Sequence, residues 1–319
     1  MLIHIGYHKT GTTWLQKTLF ERPGKGFFPI NKKGFIPDQS DKYAEYAHQV
    51  AHHFFFTHPL QFDGEGLRDK IRDEIDWARK GVPVLSSERL SGNPHSGGYD
   101  SKEIAYRLHT VFPGAKIFIV IREQSSMILS NYFQYLSYGG ARSLKDYIGQ
   151  EYDGRIPLFS KDHFRYHNLL KLYQKLFGKS QVLVLPYEMF KRSPEAFIET
   201  LSKFSGANIP LDLPYARYEN RGTGRLVLNL TRLLNLFLVK DSINAYSPLS
   251  PFAPRYGRRI IRGLKATLNI IVPEAMDRMF VQRQFALVAK LTSGYYEDSN
   301  AITSRCIGID LAEYGYKRT

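Results

Sequence analysis

Residues 6 to 13 read Gly-Tyr-His-Lys-Thr-Gly-Thr-Thr, with two glycines, one lysine and three threonines. Glycines let a backbone turn tightly and come close to a ligand. Where a helix opens behind such a turn, its free N–H groups and its dipole hold an anion. A nucleotide-hydrolysing loop reads GxxxxGK[ST], and the glycines here have that spacing. However, Thr12 stands where the lysine of that loop belongs, and Lys9 lies inside the turn. Mg²⁺ coordination also draws on the residue after that lysine and on a strand-end acid, and no such Asp follows the predicted strands. These residues describe a phosphate cradle that is wrong for Mg·ATP.

Two further groups can do chemistry. Arg122 ends the apolar run KIFIVI, and Ser130 follows eight residues later. A guanidinium grips phosphate bidentately, and a hydroxyl adds a donor. Glu88 ends VPVLSSE beside Ser86 and Ser87, and His95 lies seven residues beyond it. A carboxylate or an imidazole can take a proton from an attacking hydroxyl. Both remain candidate bases. Tyr187 in VLPYEMF offers an aromatic face after another strand, and Tyr218–Gly224 contains Arg221 and Gly222.

Positioning these residues requires a regular frame. Strand-like runs lie at Leu2–Ile5, Val82–Leu85, Lys116–Ile121 and Gln181–Leu185. Helical patterns cover Thr12–Phe20, Gly66–Lys80, Ser101–Phe112, Gln124–Tyr138, His163–Phe177 and Pro194–Ser205. Short apolar strands alternating with helices predict an α/β fold with a parallel sheet covered on both faces. Its ligands sit outside the carboxyl ends of the strands. The cradle, Glu88, Arg122 and Tyr187 all follow predicted strands. We expect one domain over residues 1–319, with a basic, apolar helical insert at about 225–285. That insert contains the apolar run Leu226–Val239, interrupted on one side by Asn229, Arg232 and Asn235. The Pro-rich link YSPLSPFAP follows, then a basic helical stretch, Tyr256–Ile271.

Composition narrows the partners. The formal charge is +14, and residues 217–283 carry 12 Lys/Arg against 4 Asp/Glu. Charged small anions, anionic polymers or an anionic membrane surface would match it. The basic residues are not interleaved with a nucleic-acid reading motif, so no nucleic acid is expected. The insert reads either as a wall of the acceptor cleft or as an element that lies on a membrane surface. Cys306 is the only cysteine, which excludes an internal disulfide framework. His48 and His52 have the spacing of a helical ligand pair, with His53 and His58 nearby, but no third ligand follows and no metal is expected. No signal peptide and no membrane-spanning run are visible, so the expected location is cytoplasmic, peripheral to the inner face of the membrane if the insert binds it.

HKTGTTWL resembles the PKSGTTWL-type loop of sulfotransferases that use 3′-phosphoadenosine 5′-phosphosulfate (PAPS), with His8 in place of the commoner proline. The resemblance implies a P-loop-like three-layer fold and an enzyme that moves a sulfuryl group to an acceptor hydroxyl, leaving 3′,5′-bisphosphoadenosine. It implies that Lys9, Thr10, Gly11, Thr12 and Thr13 bind the 5′-phosphosulfate, with Lys9 at the bridging oxygen. Arg122 and Ser130 resemble the family's Arg-then-Ser element for the 3′-phosphate, and Arg221 and Gly222 a looser match to its late Arg-Gly loop. Tyr187 corresponds to a tyrosine near the adenine. SSERLSG resembles the Glu-Lys-Ser segment of glycosaminoglycan-type members, with Arg89 in the lysine position. This implies Glu88 as base and a saccharide or glycoconjugate acceptor. The cytosolic members that use a histidine keep His95 as the alternative. YYEDSNAITSRCIGIDLAEYGY resembles the C-terminal end of bacterial members. A nucleotide-dependent kinase and a non-enzymatic binder of anionic polymer or membrane are the competing readings.

Overall fold

The computed structural model describes residues 1–22, 24–30, 45–75, 77, 79–149, 156–210, 212–215, 223–238 and 254–318. Five strands form one parallel sheet: β1 (Leu2–His4), β2 (Phe27–Pro29), β3 (Val82–Ser86), β4 (Lys116–Ile121) and β5 (Val182–Pro186). Their order is β2-β3-β1-β4-β5. Strand β1 therefore lies in the middle, with Ile3 opposite Leu85 on one side and Ile117 on the other. The sequence order reverses around β1, which makes the carboxyl end of β1 the place where a crevice opens.

The middle strands read as continuous apolar runs because both faces are covered. Leu2, Ile3, Leu85, Ile117 and Phe118 are fully buried. The sequence reading finds β1, β3, β4 and β5 within a residue or so and misses β2. This edge strand has three residues, one of them proline, too little pattern for periodicity to register.

The chain divides into two compact units. The first holds residues 1–123, 160–217 and 296–319. Besides the sheet it contains α1 (Thr12–Leu15), α2 (Glu45–Phe56), α3 (Gly64–Glu74) and α4 (Ser101–Val111). Residues Gln16–Phe20 continue α1 as a π-helix. The second unit holds residues 124–159 and 218–295. It begins with α5 (Gln124–Ser137) and α6 (Leu144–Ile148). The chain then returns to the first unit with α7 (Tyr166–Phe177), α8 (Tyr187–Arg192) and α9 (Pro194–Ser205). The second unit resumes with α10 (Arg225–Leu230), α11 (Arg232–Leu238), α12 (Pro254–Ile271) and α13 (Glu274–Leu291), and α14 (Glu297–Ile307) belongs to the first.

The expected single helix Leu226–Val239 is two helices. Thr231 sits between them and donates its hydroxyl back to the Val227 carbonyl at 2.9 Å, a back-bond that bends helices. Arg232 and Asn235, expected to interrupt the apolar face, turn inward within this unit. They donate to the carbonyls of Ala141 at 3.0 Å and Gly140 at 2.9 Å. The expected helix Gly66–Lys80 is shorter, ending at Glu74. His48 and His52 do share α2, where His48 lies 3.7 Å from the Glu21 carboxylate and His52 packs on Phe55 and Phe56.

Phe118 is fully buried on β4 beside the central strand, its ring 5.2 Å from that of His4 and 5.9 Å from that of Phe197. Phe118→Ala leaves a cavity there and should cost about 3–5 kcal/mol. The check is a urea titration, where the unfolding midpoint should fall.

Candidate functional site

The cradle grows directly out of the sheet. After β1 the backbone keeps pairing with β4: Tyr7 donates to the Val120 carbonyl, and Val120 to that of Gly6, both at 2.7 Å. The chain then turns through Gly6 (φ +92°), Lys9 (φ +63°) and Gly11 (φ +83°). Thr10 donates its hydroxyl to the Tyr7 carbonyl and closes the turn. The Gly11 carbonyl accepts the first helical bond from Trp14 at 2.9 Å. Gln16 ties the new helix to β3, donating to the Ser86 carbonyl at 3.1 Å.

Two of these glycines are required by what touches them. A Cβ on Gly6 would lie 2.8 Å from the Glu88 Cα, and one on Gly11 would lie 3.1 Å from the Tyr187 ring. The loop is thus pressed between the end of β3 and the start of α8. Arg122 adds a third contact by donating to the Lys9 carbonyl at 3.1 Å, with its guanidinium 5.5 Å from the Tyr187 ring centre. Tyr166 donates its hydroxyl to the Arg122 carbonyl. Glu188 accepts from the Glu123 amide at 3.1 Å and from the Tyr316 hydroxyl at 3.0 Å. Tyr316 comes from the far end of the chain, and only the folded molecule reveals its part in fixing the β4 end.

Lys9, Thr10, Gly11, Thr12, Thr13, Glu88, His95, Arg122 and Tyr187 therefore all lie in the first unit, above the carboxyl ends of β1, β3, β4 and β5. Ser130 is on α5 in the second unit. Arg221 and Gly222 lie outside the described residues.

The loop bearing Glu88 and His95 is held by a network that the sequence did not announce. Asp100 occupies the capping position of α4, but its carboxylate pairs with Arg89 and accepts the Asn93 amide at 2.9 Å. Ser101 donates to the Ser91 carbonyl at 2.8 Å. The Asn93 side chain accepts from the His95 amide at 3.0 Å. An Asp-Ser pair before a helix reads as an ordinary cap, so the sequence carried the signal for a helix start and not for this loop clamp.

Electrostatics tie the pieces together. Burial, and then the Lys9 charge, holds His95 down at about 4. His8 is also held well below the usual range, by burial first and then by His163, His95, Arg89 and Lys9. His163 is lowered to about 4, mainly by burial. Neutral imidazoles thus lie near Lys9 and Arg89. Beside them, in the same unit, lies a cavity of about 460 Å³ lined by Tyr7, Tyr99, Ser160, Asp162, Arg165 and Asn168 among others.

The site's chemistry suits an anion. The Thr12 hydroxyl and the Arg122 Nε are buried without a hydrogen-bond partner, and buried donors of this kind call for an acceptor. No group of three or more His, Cys, Asp or Glu suited to a metal occurs among the described residues.

Residues 100–210 match the sulfotransferase family. The matched residues include Arg122, Ser130 and Tyr187; the cradle and Glu88 precede them. A sulfotransferase from Alicyclobacillus acidocaldarius is similar in structure, with 21% identity over 74% of this chain and 94% of that one, at a TM-score of 0.46. Mouse sulfotransferase SULT7A1, complexed with PAP, is similar at 11% identity over 89% of this chain and 88% of that one, at a TM-score of 0.34. No curated protein sequence matches the chain.

The buried histidines make stability depend on pH. His4 is held at about 3 and His95 and His163 at about 4 by burial. Each stays neutral when folded but takes a proton below about pH 6.5 when unfolded. Acid therefore favours the unfolded chain. This contribution is whole above about pH 6.5 and is lost as pH falls toward 4, at up to about 1.4 kcal/mol per pH unit for each group. Melting temperature should fall steadily over that window, and His163→Gln should flatten the slope. A flat wild-type profile would contradict the buried neutral imidazoles.

Proposed function

We propose that the chain is a PAPS-dependent sulfotransferase acting on an acceptor hydroxyl, with Glu88 as the base. The observation that supports it most is the joint arrangement in one unit of the glycine cradle, Arg122, Tyr187 and Glu88, with the Thr12 hydroxyl and Arg122 Nε buried and unpartnered. The bound nucleotide would supply the sulfuryl group. Gly11, Thr12 and Thr13 hold its 5′ anion through helix-start amides and hydroxyls. Lys9 faces the charge that develops on the leaving oxygen. Arg122 grips the 3′-phosphate, and Tyr187 borders the adenine. The assignments of Ser130, Arg221 and Gly222 to the same phosphate rest on the family resemblance.

Glu88 takes the proton of the attacking hydroxyl. Its backbone packs against Gly6, so it belongs to the wall of the cradle itself. His95 is the alternative base because a free imidazole titrates near neutrality. Held at about 4, it has lost that advantage and is a poorer proton acceptor.

A carbohydrate acceptor is supported by the cavity beside Tyr7. Its size suits a sugar ring or two, and Tyr99, Ser160, Asp162 and Asn168 offer an aromatic face and hydrogen-bonding groups. Tyr99→Ala should raise the KM for a saccharide acceptor about tenfold and leave kcat unchanged, as expected where uniform binding is lost. An unchanged KM would remove the cavity from the acceptor site.

The central test is thermal stabilisation by 3′,5′-bisphosphoadenosine set beside Mg·ATP. The bisphosphate should raise the melting temperature, and Mg·ATP alone should not; the reverse result would favour a kinase. In a radiolabelled sulfate transfer assay, Glu88→Gln should lower kcat by about 10²–10⁴ while the bisphosphate still binds. Lys9→Ala should lower kcat and weaken nucleotide binding together.

A further inference from the structure

The second unit carries an apolar surface larger than its own packing uses. Ten of the seventeen large hydrophobic side chains exposed among the described residues fall between Leu230 and Phe285. Helix α12 makes the pattern plain. Ile261 is buried and Leu268 half-buried, so this side of the helix packs into the unit. Ile260, Leu264 and Ile271 follow the spacing i, i+4, i+11, which places them within an arc of about 40° beside that packed side. They are 58%, 36% and 65% exposed. The apolar stripe is thus wider than the surface that covers it. Helix α11, which packs on α12, repeats the pattern with Leu233 and Phe237, 55% and 43% exposed at i, i+4 spacing.

Charge decides what fits this surface. Residues 217–283 carry 12 Lys/Arg against 4 Asp/Glu, and Arg259 is exposed on the flank of the α12 stripe. A second copy of the chain would bring the same excess of positive charge against it, which repels. An anionic polysaccharide would answer the charge and leave the isoleucines in water. A bilayer with anionic headgroups satisfies both, since apolar side chains enter the acyl boundary while basic ones meet the headgroups. No helix among the described residues is long and apolar enough to cross a membrane, which leaves an interfacial mode. We propose that α11 and α12 dock the protein on an anionic membrane surface.

The test is co-sedimentation of the full chain with phosphatidylcholine vesicles, with and without phosphatidylglycerol. Binding should require phosphatidylglycerol and weaken with added salt. Ile260→Asp with Ile271→Asp should abolish it, and Arg259→Glu should weaken it about tenfold. Both positions of the double variant are exposed, so its melting temperature and circular dichroism should match the parent's. Equal vesicle binding by the double variant would mean attraction by charge alone and would overturn the proposal. So would binding that ignores phosphatidylglycerol. A dimer in light scattering that the same double substitution dissolves would assign the stripe to a second copy and overturn it as well.

Discussion

The contact between Gly6 and the backbone of Glu88 is the constraint on which the site depends. Strand β1 runs between β3 and β4, so its outgoing chain has to leave the sheet through a gap already bordered by the outgoing chain of β3. A Cβ at residue 6 would sit 2.8 Å from the Glu88 Cα, closer than two carbons can pack without displacement. With no side chain there, the loop and the segment bearing the carboxylate approach to van der Waals contact. Gly11 does the same against Tyr187. The cradle is therefore clamped between two segments that come from opposite sides of β1 in the sheet. A glycine turn, a carboxylate and an aromatic face are brought within one site by two missing methyl groups.

That clamping creates an electrostatic difficulty, and the histidines relieve it. Lys9, Arg89 and Arg122 lie in or beside the loop. Asp100 offsets Arg89, whereas Arg122 meets a carbonyl and an aromatic ring, neither of which removes its charge. Charging His8 would add repulsion at Lys9 and Arg89, charging His95 at Lys9, and charging His163 at Arg89. Burial and the nearby cations keep all three neutral. The site is left cationic through a few fixed groups, with the Thr12 hydroxyl and the Arg122 Nε buried beside them. Such preorganised charge is the kind that acts strongly on an anion, because it needs no rearrangement when the anion arrives.

How much of this was legible in the sequence depended on distance along the chain. The cradle is a local pattern of glycines between a strand and a helix, and its residues read correctly as one turn. The strands before Glu88, Arg122 and Tyr187 were equally local, and parallel topology sends their ends to one edge of the sheet. The clamp of Asp100 on Arg89 and Asn93 was not legible, because Asp100 before a helix looks like a cap. Nor was the bond from Tyr316 to Glu188, which joins residues 128 positions apart. The misread elements have local causes too. β2 is too short and proline-bearing to show a period, and Thr231 divides an otherwise unbroken apolar run by bonding its own helix.

Basicity as a whole was a poor guide to the site, and the structure explains why. The first 123 residues, which hold the cradle, Glu88, His95 and Arg122, carry 17 Lys/Arg against 14 Asp/Glu. Their net contribution to the +14 of the chain is small. The excess lies at 217–283 instead, where Arg259 and Arg262 are exposed on α12. These are two different uses of charge. Diffuse surface charge attracts at range and fades within a Debye length of about 8 Å at physiological ionic strength. Cations held against a loop act at close range, where salt screens less. A high isoelectric point reports only the first kind. The second is visible only when the residues are placed: Lys9 and Arg122 are two charges among 44, yet they meet at the end of β1, whereas the eight net charges of residues 217–283 dominate the isoelectric point.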